Sequence, residues 1–279
     1  MPQPIVKKFG SPLEFLEWAT NAPTPWKGEL HSRRKGNKSW AGTDTYEEAY
    51  NMARFGWPEG LERLVEQVEL AAKFNPEIPN RKRRYDVAGN YPDAARAALG
   101  NPFSMVSKGR DFRQKPVIKI RTNYGYLANV DSDTVIKWGA AMCSYINNLE
   151  RAGFSTQLDA FEEGKAQGGP SISFQFPLKQ AGEPLQLANV VFWWGNPAAL
   201  RRITFSAIER LDIESSYSSG YGTLAIVEPI DKESLFLDIN DARGSIKENL
   251  DVIISKHKKL LEGAPNQGVS NIISDYNHD

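Results

Sequence analysis

The stretch RKRRYDVAGNYPD, Arg81 to Asp93, sets four consecutive cations against a tyrosine. Phosphate oxygens are held by lysine and arginine, and unpaired bases stack on aromatic faces and guanidinium planes, so a single-strand binder needs both residue types interleaved. That mixture continues to Arg121. From Arg81 to Arg121 eleven cations stand against three aspartates, a local excess of eight, in a chain whose 34 Lys+Arg otherwise balance 34 Asp+Glu. The candidate phosphate ligands are Arg81, Lys82, Arg83, Arg84, Lys108, Arg110, Arg113, Lys119 and Arg121; Tyr85, Tyr124 and Tyr126 are the candidate base-stacking rings. The competing interpretation is a solvated loop with its aromatics in the core, since charge runs are common on surfaces.

A second loop candidate is SSYSSGYG, Ser215 to Gly222, where Tyr217 and Tyr221 stand beside glycines that allow close backbone approach. It lacks the spacing of a dinucleotide fingerprint, and no Walker-type glycine–lysine motif occurs. Cys143 stands alone and the histidines, His31, His257 and His278, are far apart, which argues against disulfides, sulfur-held metals and clustered imidazole ligands. DVAGN invites comparison with von Willebrand A-type domains, whose metal site begins Asp-x-Ser-x-Ser. Asp86 fits its first position, but Ala88 and Asn90 replace two hydroxyl ligands, so no metal or other cofactor is expected. No nucleophile has a sequence-local base, and the expectation is a non-enzymatic protein.

The elements that must position these residues are read from caps and periodicity. Ser11 and Pro12 open a helix, Thr45 and Glu48 have capping-box spacing, and Pro58 begins a further amphipathic helix. VIKIRTN alternates apolar and cationic residues, so a strand would send Lys119 and Arg121 to one face. It is followed by a long helix ending at Gly153 and by the strand STQLDAF, a crossover unit near residues 116–161. SISFQFPL and NVVFWWG read as strands, the latter turning Trp193 and Trp194 to opposite faces. A helix begins at Asn196 and Pro197, LAIVEP and LFLDI read as strands, and a last helix runs from about Asp241 to Glu262. The fold class is therefore α+β, one domain over residues 10–263 with a mixed sheet covered by helices. Residues 264–279 read as a flexible polar tail. No apolar run approaches the roughly 20 residues that span a bilayer, and the N-terminal residues lack a signal-peptide core; a cytoplasmic protein is expected.

GTDTYEEAYNMARFGWPEG, YDVAGNYPDAARAALGNPFSM, DTVIKWGAAMCSYINNLERAGFSTQLDAF and RRITFSAIER with SSGYG, in that order, resemble an uncharacterised family of phage- and mobile-element-encoded proteins. The resemblance implies phage origin, hence the host cytoplasm, and supplies no reaction. By size and basic–aromatic pattern the chain also looks like the podovirus single-stranded-DNA-binding proteins that recruit phage RNA polymerase. Two functions follow as expectations. The first is binding of single-stranded nucleic acid as an accessory to phage transcription or replication, with phage RNA polymerase or another phage or host protein as partner. The alternative is a protein–protein module, a host-factor inhibitor or virion component, using FWWG or SSGYG as its contact surface.

Overall fold

Side-chain oxygens set the helix starts. Ser11 Oγ accepts from the Glu14 N–H at 3.1 Å, Thr45 Oγ1 from Glu48 at 3.1 Å, and an Asp131 oxygen from Thr134 at 2.7 Å. Each satisfies a donor that a helix terminus leaves open. The Glu48 carboxylate turns back to the N–H of Asp44 at 2.8 Å instead of that of Thr45. A reciprocal capping box occurs at Ser245 and Glu248, whose side chains each accept the other's N–H at 3.2 and 3.1 Å. That box starts the last helix at Ile246, not near Asp241; Asp241 instead pairs with Lys256.

The computed structural model describes residues 3–25, 27, 29–76, 84–87, 91–92, 97–107, 116–127, 130–165, 170–211 and 233–263. In chain order its strands are β1 (Ile5–Lys8), β2 (Arg84–Asp86), β3 (Tyr91–Pro92), β4 (Met105–Ser107), β5 (Val117–Asn123), β6 (Ser155–Lys165), β7 (Ser171–Lys179) and β8 (Leu235–Asp238). The α-helices are α1 (Pro12–Asn21), α2 (Lys38–Ala41), α3 (Tyr46–Phe55), α4 (Pro58–Ala72), α5 (Ser132–Arg151), α6 (Leu187–Gly195), α7 (Phe205–Ile208) and α8 (Ile246–Gly263). A π-helical segment, Ala199–Thr204, leads directly into α7. The α+β expectation holds, and so does the crossover unit: β5, α5 and β6 follow one another with β5 and β6 parallel.

The main sheet has the order β1, β7, β6, β5, β8. Only β6 and β7 are antiparallel; the other neighbouring pairs run parallel. β1 lies ahead of the domain boundary read from sequence, yet it is hydrogen-bonded into this sheet. A second, three-stranded antiparallel sheet is formed by β2, β4 and β3.

One face of the main sheet carries the core. Phe174 and Phe176 of β7 meet Phe15 of α1, and Phe176 lies 4.7 Å from the ring of Trp193 in α6. The NVVFWWG segment is thus helix α6, not a strand, and both Trp193 and Trp194 are buried. Its residues from Val190 to Gly195 are enclosed on every side, so no polar face marks a helical period. Trp194 Nε1 donates to Thr122 Oγ1 of β5 at 3.1 Å, fixing α6 to the sheet. α5 approaches so closely that a Cβ at Gly139 would stand 2.8 Å from the Trp194 carbonyl oxygen.

A register shift between Leu158 and Asp159 gives β7 one extra residue: Asp159 faces Pro177, whereas Leu158 faces Lys179. This bulge brings Lys179 to the helix side, where simple alternation from Pro177 would have turned it outward. There Lys179 Nζ bonds Glu150 at 2.7 Å and the Thr156 carbonyl at 2.6 Å.

Candidate functional site

The opposite face of the sheet is polar, and strand register alone builds it. Residues that alternate outward lie in rows across the strands. One row runs from Lys8 through Gln175 and Phe161 to Asn123 and Asp238. The next places Pro177, Asp159, Arg121 and Phe236 side by side, and the third pairs Gln157 with Lys119, beside Ser234. Lys8, Phe9, Lys119, Arg121, Gln157, Asp159, Gln175, Phe176, Pro177 and Ser234 line one open depression of about 410 Å³. Three cations against one carboxylate make it net positive.

Lys119 is exposed and Arg121 half-buried, so the predicted common face of these two residues is observed. The Arg121 guanidinium stands over the Phe161 ring at 5.1 Å, a cation–π contact that limits its swing. Its charge opposes the burial that raises the Glu163 carboxyl above the usual range. Gln157 Nε2 donates to Asp159 Oδ2 at 3.1 Å, and Gln175 Nε2 to Ser173 Oγ at the same distance. Lys8, Gln157, Asp159 and Gln175 are additions to the sequence candidates. The alternation of STQLDAF puts Gln157 and Asp159 on one face, but nothing in IVKK announces that Lys8 joins them from across the sheet.

Tyr124 and Tyr126 require correction. Both follow β5 and turn into the core, with 2% and 5% of their surface exposed, so neither offers a face on which a base can stack. The Tyr124 hydroxyl is 3.1 Å from Thr204 Oγ1, and its ring packs against Phe176 and Trp193. Tyr126 lies 5.1 Å from the guanidinium of Arg201. Burial holds both phenols well above their ordinary range.

The π-helical segment supplies two further buried cations, Arg201 and Arg202. Arg202 Nη2 donates to the carbonyls of Gly36 at 2.8 Å, Thr43 at 2.9 Å and Asp44 at 3.3 Å, while Nη1 reaches those of Ser32 and Arg34. Arg201 donates to the carbonyls of Trp40, Leu127 and Val130 and lies over the Trp40 ring. These arginines hold the connection around α2 in place and are not available to a ligand.

Arg84 and Tyr85 belong to β2, where Arg84 pairs with Ser107 and Tyr85 with Val106. Arg81, Lys82, Arg83, Lys108, Arg110, Arg113, Tyr217 and Tyr221 lie outside the described residues, as do LAIVEP and residues 264–279. Among the described residues no three His, Cys, Asp or Glu side chains are grouped to hold a metal ion, and no helix is long and apolar enough to cross a membrane.

The model of a domain of unknown function, DUF7192, matches residues 3–267. The chain belongs to the DUF7192 family. No curated protein and no solved structure matches it. The match begins before β1 and ends beyond α8, so the DUF7192 domain takes in the whole five-stranded sheet, the N-terminal edge strand included.

Proposed function

We propose that this DUF7192 domain is a phage-encoded protein that binds single-stranded nucleic acid without altering it, as an accessory to phage transcription or replication. The observation that carries this reading is the convergence of Lys8 of β1 with Lys119 and Arg121 of β5, from two distant places in the chain, on one open sheet face with two carboxamides and one carboxylate. A flexible single strand can lie across such a face, its phosphates neutralised by the cations. The runs Arg81–Arg84 and Lys108–Arg113 enter this reading by their charge in the sequence alone. Phage origin rests on the sequence resemblance, and a phage polymerase or another phage or host protein is the partner that an accessory role requires.

The test is electrophoretic retention of labelled single strands and duplexes across a salt series. Single strands are expected to be retained at lower protein concentration than duplexes, with log affinity falling linearly against log salt. Replacing Lys119 and Arg121 together by alanine should weaken binding and lower the slope by about 0.7 for each phosphate that is no longer neutralised. An unchanged slope in that variant would remove the sheet face from the interface.

A further inference from the structure

All three strands of the smaller sheet come from the connection between α4 and β5. The five-stranded sheet does not need them, since β5 pairs with β6 and β8. The same connection carries the charge excess of an otherwise balanced chain: from Arg81 to Lys115 nine cations stand against three aspartates. Among the described residues no other element packs closely on this sheet, and Val87 after β2 and Phe103 before β4 are exposed. Register decides which positions meet. Tyr85 of β2 and Tyr91 of β3 both stand opposite Val106 of β4. Residues directly opposite in antiparallel strands share a face, so the two tyrosines lie in one row on one face, with a single strand between them. Neighbouring strands are roughly 4.8 Å apart, which sets the two positions about 10 Å from each other. Arg84 and Asp86 alternate to the other face.

We propose that the smaller sheet is the base-stacking platform of this domain, and that Tyr85 and Tyr91 each take one base of a bound single strand. The inference rests on the nucleic-acid reading above, and it supplies the rings which that reading needs once Tyr124 and Tyr126 are found in the core. An aromatic row across an antiparallel sheet receives unpaired bases by their π-faces, whatever their identity. Bases of a duplex are already stacked on one another and closed to such contact, so the row favours single strands. The excess of cations in the same connection complements the phosphates of that occupant.

Fluorescence anisotropy with the full chain and labelled oligo(dT) across a salt series tests the platform. Tyr85→Leu and Tyr91→Leu are each expected to weaken binding about tenfold, and together about a hundredfold. The salt slope should stay unchanged, because no phosphate contact is lost. Tyr85→Phe and Tyr91→Phe keep a ring and should bind within about twofold of the unaltered protein. A second arm uses the unaltered protein alone and so does not depend on the variants folding: irradiation of its complex with iodouracil-substituted oligo(dT) should cross-link Tyr85 and Tyr91. Undiminished binding by the double leucine variant, equal losses in the phenylalanine variants, or cross-links confined to other residues overturns the platform and leaves the nucleic-acid reading standing. Failure of the unaltered protein to bind any strand overturns both.

Discussion

The Tyr145 hydroxyl lies 2.6 Å from Nδ1 of His257, joining α5 to α8 inside the core. The two rings meet edge to face, and only 3% of the histidine surface is exposed. Burial lowers the His257 pKa from 6.5 to about 4. The folded protein therefore binds this proton less readily than the unfolded chain does. The contribution of neutral His257 is complete above pH 6.5 and is lost as the pH falls from 6.5 to about 4, in total roughly 3 kcal/mol. His257→Gln, which keeps a hydrogen-bonding group but does not titrate, should flatten the acid limb of stability in urea melts at stepped pH. An acid limb equally steep in the variant would assign it to other groups.

Glu162 acts in the opposite direction. Its carboxyl is turned to the helix side of β6, 3% exposed, with Oε2 lacking a hydrogen-bond partner among the described residues. Burial, followed by the neighbouring charge of Glu163, raises its pKa from 4.5 to about 8. Its folded form keeps the proton that the unfolded chain releases. The associated stability is whole below pH 4.5 and declines as the pH rises to about 8, by an amount on the order of 3–5 kcal/mol. Glu162→Gln should accordingly be more stable than the unaltered protein at pH 8 and nearly equal to it at pH 4, by denaturant midpoint. A variant less stable at pH 8 would mean that the carboxylate has a favourable role there.

Arg202 is a keystone of the π-helical segment. Its fork reaches five backbone carbonyls between Ser32 and Asp44. Lysine keeps the charge but cannot span that set, and each buried acceptor left without a donor costs roughly 1–3 kcal/mol. Arg202→Lys is predicted to lower the thermal midpoint and open the chain between residues 32 and 44 to proteolysis. An unaltered midpoint and cleavage pattern would show that water or a rearranged lysine satisfies the carbonyls.

For Tyr124 the expected effect is on stability. Tyr124→Phe removes the hydrogen bond to Thr204 and should cost about 1 kcal/mol; Tyr124→Ala leaves a cavity beside Phe176 and Trp193 and should cost about 3–5 kcal/mol. Strand affinity of the folded Tyr124→Phe protein should be unchanged in the salt-series assay. A loss of affinity at constant stability would return this ring to the interface.

Local signals carry much of the architecture. Ser11, Thr45 and Pro58 mark helix starts through interactions within a few residues of themselves, and the alternation of VIKIRTN assigns Lys119 and Arg121 to one face, as observed. NVVFWWG misleads because a helix buried all round displays no polar stripe, and its branched and aromatic residues favour a strand reading. Tyr124 and Tyr126 read as surface residues because they punctuate a basic run; their burial is decided by α6 and the π-helical segment some 70 to 80 positions later. Lys8 reaches the site only through the parallel pairing of β1 with β7, a relation between distant segments that no local window contains.

The position of β5, between β6 and the edge strand β8, bears on how the chain is made. Its far neighbour is β8, and the Asn123 and Asp238 side chains that meet at 3.2 Å are 115 positions apart. At about 5–20 residues per second, translation leaves an interval on the order of ten seconds in which β5 exists without that neighbour. An unpaired strand edge is a template for another chain, and edge lysines and arginines are a common guard against such pairing. Lys119 and Arg121 stand on the strand that waits. The same two charges that line the depression in the finished domain would keep neighbouring nascent chains on a polysome from annealing to β5 before β8 emerges.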